Sequence, residues 1–196
     1  MTPTRGAFCG LVFALAMAAT PAAAFFEIDP LTRQPLYGSG DDQAYRAQAS
    51  PVPRAVVPFS DRYAPGTIVI STDERRLYYV LGNGEAIRYG IGVGRPGFEW
   101  AGTRRVTMKR EWPDWRPPAQ MLRRRPDLPR YMEGGPDNPL GARALYLGGS
   151  LYRIHGSNEP ETIGQAVSSG CIRMTNEDVI DLYNRVKVGT RVVVLN

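Results

Sequence analysis

The chain has 196 residues, 43 % of them apolar, and carries 24 basic against 19 acidic side chains for a net charge of +5. Arginine supplies 22 of the basic residues, and their scatter along the chain argues against a nucleic-acid partner. One histidine and two cysteines are too few soft ligands for a zinc site, which needs three or four protein ligands, so neither a metal nor a cofactor is implied.

The first 24 residues are expected to form a signal peptide. Arg5 precedes the apolar run Leu11–Ala19, and Ala22-Ala23-Ala24 fits a small-residue cleavage site. The apolar run is shorter than the roughly 20 residues a membrane span requires. Cys9 precedes that run, where a lipid-modified cysteine would follow it. Cleavage after Ala24 would leave Cys171 as the only thiol, so an internal disulfide is excluded even in an exported protein. Residues 25–64, rich in Pro, Ala, Ser and Gln, are read as a mostly irregular linker, and residues 65–196 as one domain.

Regular patterning begins at Pro65-Gly66. Thr67–Ser71 and Arg76–Val80 are β-branched or aromatic runs joined by a turn at Thr72-Asp73-Glu74. Gly82-Asn83-Gly84 marks a second turn, and Glu85–Val93 places Ile87, Tyr89, Ile91 and Val93 on one face, which predicts a β-meander. Arg105–Arg110 reads as a further strand. Between Trp112 and Gly141 the chain is dense in Pro, Arg, Trp and Gly, with one short helix near Pro118–Arg124. Strands are predicted at Ala144–Leu147 and Tyr152–His155, and a helical turn at Glu161–Val167. Thr175-Asn176-Glu177-Asp178 starts a helix whose apolar side carries Val179, Ile180, Leu182, Tyr183 and Val186. Arg191–Leu195 is the last strand. The expected class is mostly β, a sandwich or barrel-like domain with a few short helices and a lid segment.

The chemistry concentrates in Ile154–Met174, where His155 precedes Cys171 amid glycine and serine. An ordinary thiol is only a few per cent ionised at neutral pH, and an adjacent imidazole can take its proton to make a nucleophile. Ser168-Ser169-Gly170 permits a tight bend that exposes backbone N–H groups, as an oxyanion site requires. Spacing alone leaves the pair open to other readings.

The motifs His155-Gly156 and Ser168-Ser169-Gly170-Cys171-Ile172-Arg173 resemble the signature of L,D-transpeptidase catalytic domains. The resemblance covers about residues 65–196. It includes Pro65–Ile70, Arg105–Arg110, the Pro113–Pro118 segment, Gly134–Gly141 and Ile154–Pro160. Two positions depart from the pattern: Ala101–Arg104 stands where the family often has Thr-Pro-x-Gly, and Ser169 where many members have His. The resemblance implies that Cys171 attacks the L-centre carbonyl of the diamino acid in a peptidoglycan stem tetrapeptide, releasing D-alanine and leaving a thioester. His155 would serve as the acid and base, oriented by a backbone carbonyl near Gly156 or Ser157. N–H groups around Gly170 and Cys171 would hold the oxyanion. Arg173 either positions substrate or only braces the turn. Residues 112–141 would form a lid, in which Trp112 and Trp115 either cover the cleft or serve as ordinary core aromatics. Arg123, Arg124 and Arg125 either attract an anionic polymer or form a solvated face.

The signal peptide implies an exported protein, with the periplasm as its expected location, and the resemblance implies inactivation by carbapenems. The acyl acceptor is left open among an amine of another stem (a 3→3 cross-link), a free D-amino acid, an amine on an outer-membrane protein, and water. Water would make the protein an L,D-carboxypeptidase or endopeptidase. A non-catalytic wall-binding domain and a thiol redox sensor remain the other classes, and the oligomeric state is not legible.

Overall fold

The computed structural model describes residues 50–196, so the expected signal peptide, Cys9 and most of the expected linker lie outside the described residues. The described chain is mostly β. Its strands are β1 (Ala55–Pro58), β2 (Ile68–Ser71), β3 (Arg76–Gly82), β4 (Glu85–Gly90), β5 (Val93–Gly94), β6 (Gly102–Glu111), β7 (Arg143–Leu147), β8 (Arg153–His155), β9 (Ala166–Ser168), β10 (Ile172–Arg173) and β11 (Arg191–Leu195). Two α-helices accompany them, α1 (Ala119–Arg124) and α2 (Asn176–Arg185), with a 3-10 turn at Pro160–Thr162. Among the described residues no helix is long and apolar enough to cross a membrane.

The strands form one open sheet in the order β1-β4-β3-β2-β11-β6-β7-β8-β10, plus a parallel β5-β9 pair. β2, β3 and β4 are the predicted meander. Asn83 and Gly84 close the β3–β4 hairpin with φ of 53° and 74°, the positive pair that suits a two-residue turn to the twist of its strands. Alternation sends Leu77, Tyr79, Ile87 and Tyr89 into the core with Ile68, Ile70, Val192 and Val194.

β6 does the joining. Its first half, Gly102–Arg105, pairs with β11, and Val106–Glu111 pairs with β7, with a register shift between Val106 and Met108. Such an irregularity bends a strand, and here it falls where β6 changes partners. The Ala101–Arg104 stretch, whose family pattern differs, is therefore largely extended and sheet-paired.

α2 covers the core with Val179 and Leu182. Thr175 Oγ1 accepts the Asp178 N–H at 3.2 Å, as the capping pattern requires. At the other end, Lys109 Nζ donates to the Tyr183 and Val186 carbonyls at 2.6 Å each, which suits a cation at a helix C-terminus. β1 lies within the stretch read as linker and pairs with β4. Just ahead of it, buried Arg54 sits 3.5 Å from Glu177, Asp178 and Asp181 of α2. Burial pushes the Asp178 carboxyl up to about 7, although the Arg54 charge opposes this.

One local expectation differs. The predicted helical turn over Glu161–Val167 covers only Pro160–Thr162, and Ala166–Ser168 is strand β9. Gly164, at φ 88°, reverses the chain between them.

Candidate active site

β8 and β10 run parallel, with Ile154 opposite Ile172 and His155 opposite Arg173. The two isoleucines are buried in the core. By alternation, Arg153, His155, Cys171 and Arg173 emerge on the other face, and all four line one cavity of about 460 Å³. The same register, carried one residue further, sets Cys171 beside Arg153, whose backbone N–H reaches the sulfur. Cys171 Sγ donates to the Leu151 carbonyl at 3.9 Å and shares the cavity lining with His155.

The turn into Cys171 is held tightly. Ser168 Oγ donates to the Cys171 carbonyl at 2.6 Å and accepts the Gly170 N–H at 3.1 Å. Gly170 has φ 99°, and a β-carbon there would lie 2.6 Å from Tyr152 Cε1. Both conditions require glycine. Behind it, Trp100 Nε1 donates to the Gly170 carbonyl at 2.8 Å while the Trp100 ring stacks on Tyr152 at 4.6 Å.

His155 is buried, and its Nδ1 lies 2.6 Å from the Gly156 carbonyl. A carbonyl only accepts, so Nδ1 carries the proton and Nε2 is left as the basic nitrogen. Burial lowers the imidazole to about 3; the Gly156 hydrogen bond opposes this, and the Arg173 and Arg153 charges lower it further. Half-buried Cys171 is pushed the other way: burial raises its thiol, against a backbone hydrogen bond from Arg153 and the charges of Arg153 and Arg173. At neutral pH the two groups therefore rest as thiol and imidazole, without an ion pair.

Gly156 contributes its carbonyl, and its α-carbon packs against Asn176, whose Oδ1 accepts the Ala142 N–H at 2.8 Å. Ser169 lines the cavity and accepts from Arg95 at 3.3 Å. Arg173 also lines it and donates to Glu159 at 2.8 Å. Of the expected lid residues, Trp115 and Arg124 reach the cavity and Trp112, Arg123 and Arg125 do not. Trp112 is exposed, with φ 39°. Arg123 is exposed on α1, and Arg125 turns away to Asp127 at 2.6 Å. Sequence reasoning missed Phe98, Arg104, Tyr152 and Arg153 on the cavity wall. Arg153 was within reach of it, because period-2 alternation from His155 places Arg153 on the same face.

The chain resembles known proteins. The family model for the L,D-transpeptidase catalytic domain, YkuD, matches residues 65–194. The chain is 41 % identical over 138 residues to the probable L,D-transpeptidase ErfK/SrfK of Escherichia coli, a match covering 66 % of this chain and 44 % of that one. It thus spans less than half the length of such curated relatives. A crystal structure from Brucella melitensis, described as a probable carnitine operon oxidoreductase, is 48 % identical with a TM-score of 0.50, covering 74 % of this chain and 94 % of that one. An L,D-transpeptidase from Mycobacterium smegmatis aligns with a TM-score of 0.55 at 18 % identity, over 68 % and 59 % of the two chains, which shows a shared fold.

Proposed function

Because the chain belongs to the L,D-transpeptidase catalytic-domain family, we propose that it is a cysteine acyltransferase acting on peptidoglycan stem tetrapeptides. The observation that carries this reading is the fixed tautomer of His155, which leaves Nε2 basic in the cavity that Cys171 shares. Family membership implies the peptidoglycan substrate, and this arrangement suits the chemistry.

Cys171 Sγ attacks the carbonyl of the diamino acid as its proton passes to His155 Nε2. Since the resting pair is neutral, proton transfer accompanies the attack, as general-base catalysis requires. The tetrahedral oxyanion is held by backbone N–H groups at the turn. Ser168 Oγ already occupies the Gly170 N–H, so the Cys171 N–H is the better donor. The C–N bond then breaks, D-alanine departs with the proton from Nε2, and a thioester remains on Cys171. In the second half-reaction His155 deprotonates an amine that attacks the thioester, restoring the thiol. The Gly156 carbonyl stabilises the transient imidazolium through Nδ1–H.

The acceptor amine belongs to a second stem, giving a 3→3 cross-link, or to an envelope protein being tied to the wall. With water as acceptor the same pair performs L,D-carboxypeptidase or endopeptidase chemistry. Wall chemistry fits export to the periplasm through the expected signal peptide. A carbapenem would acylate the same thiol. The test compares wild type with Cys171→Ala and His155→Ala in D-alanine release from a tetrapeptide donor. Each substitution should reduce release to background with the fold intact, because nucleophile and base act as a unit. Wild-type release by Cys171→Ala would remove the mechanism.

A further inference from the structure

The cavity around Cys171 is one-sided in charge. Its lining includes Arg104, Arg124, Arg153 and Arg173, and neither aspartate nor glutamate. Arg173 is already held by Glu159 at 2.8 Å. Among the described residues the other three have no carboxylate within ion-pair distance: Arg104 lies over the Trp100 ring at 5.7 Å, Arg124 over the Phe98 ring at 5.5 Å, and Arg153 over the Tyr146 ring at 5.2 Å. The Nε of Arg153 is buried without a hydrogen-bond partner. Arg153 is half-buried, and a nitrogen held from water without a partner is costly unless something pairs with it.

The position of Arg153 narrows what that partner is. The β8–β10 register places it beside Cys171 on the cavity face. A carboxylate that reaches it must therefore belong to a group very close to the carbonyl under attack. In a stem tetrapeptide the carboxylate of the departing D-alanine is separated from that carbonyl by only the amide nitrogen and one α-carbon. The other stem carboxylates lie farther along flexible chains.

We propose that Arg153 is a specificity residue that binds the terminal carboxylate of the leaving amino acid, so that the enzyme selects donors ending in a free acid immediately after the scissile bond. This rests on the function proposed above and sharpens it. A planar guanidinium takes a carboxylate through two parallel hydrogen bonds and gains far less from a neutral amide. Arg153 thereby favours donors whose leaving group carries a free carboxylate on the carbon next to the scissile amide nitrogen over donors in which that carboxylate is amidated.

Two measurements test it. In the first, donors ending in D-alanine and in D-alaninamide are compared for acylation of Cys171. Wild type should prefer the acid by about tenfold or more, the scale of one charge-assisted hydrogen bond. In Arg153→Gln the ratio should collapse toward unity, and Arg153→Lys should retain part of it. The second measurement needs no peptidoglycan chemistry. Iodoacetate and iodoacetamide each alkylate the thiol, forming a C–S bond as the C–I bond breaks, with iodide leaving and the thiol proton passing to base. Normalised to a small free thiol, the iodoacetate-to-iodoacetamide ratio at Cys171 should be raised in wild type and lowered in Arg153→Gln. A residue that merely braces β8 would change both rates together and leave both ratios unmoved. A wild-type ratio showing no preference for the acid in either experiment, or a preference that survives in Arg153→Gln, overturns the proposal. Failure of both donors to acylate wild type, with the iodoacetate preference intact, would keep the anion site and remove the transpeptidase reading.

Discussion

His155 and Cys171 are each shifted away from charge by the same burial, and the consequence is measurable on the free protein. Desolvation lowers the imidazole to about 3 and raises the thiol. For the thiol, a raised pKa means less thiolate at neutral pH than in an ordinary cysteine. Alkylation of Cys171 by iodoacetamide should therefore keep rising with pH through 8 to about 9, the range in which an ordinary thiol titrates. It should show no plateau near neutrality and no inflection near the usual histidine value. A plateau between pH 5 and 7 would mean that the pair rests as thiolate and imidazolium. The pair itself was legible because the chain has a single histidine and its motif is distinctive. The carbonyl partner was narrowed to Gly156 or Ser157, and Gly156 takes the role. Arg153 belongs to no motif, and only its alternation with His155 along β8 marks it.

At the scale of elements, the meander was readable because each strand carries its own period-2 pattern and Asn83-Gly84 announces its turn. The short strands β5, β9 and β10 were not. Two or three residues hold no detectable period, and their pairing depends on partners distant in sequence, as when Val93 meets Ala166. The Pro118–Arg124 helix was found, but a run of three arginines cannot disclose which of them faces inward. α1 turns only Arg124 of the three toward the cavity, where it also lies over the Phe98 ring at 5.5 Å. Capture of an anionic stem should then depend on that one residue. Arg124→Gln should raise KM several-fold, most clearly at low ionic strength, with kcat nearly constant, since exposed charges act through screened attraction. Arg123→Gln serves as the control and should leave both unchanged. Equal effects from the two would point to a diffuse cationic face.

Across the whole molecule, the chain preceding β1 is tied to the helix that follows the active-site strand. Arg54 faces three carboxylates of α2, and Asp178 is driven up to about 7 chiefly by burial. A carboxyl whose folded value is raised binds its proton more tightly when folded. Its contribution to stability is therefore fully present below the unfolded value near 4 and is lost as pH rises through about 7. Asp178→Asn should abolish that loss, so the stability difference between variant and wild type should grow in favour of the variant from pH 4 to 7, by on the order of 1–4 kcal/mol. Urea unfolding at a series of pH values reads it, and a difference independent of pH would show that Arg54 keeps Asp178 ionised throughout. The link from sequence to role meets at one atom, the Cys171 sulfur, and the most direct measurement is the intact mass of the protein after mixing with a stem tetrapeptide. A covalent adduct equal to the donor less D-alanine is expected on Cys171, absent from Cys171→Ala and discharged by an added amine. Release of D-alanine by wild type without any adduct on Cys171, or an adduct that persists in Cys171→Ala, would contradict it.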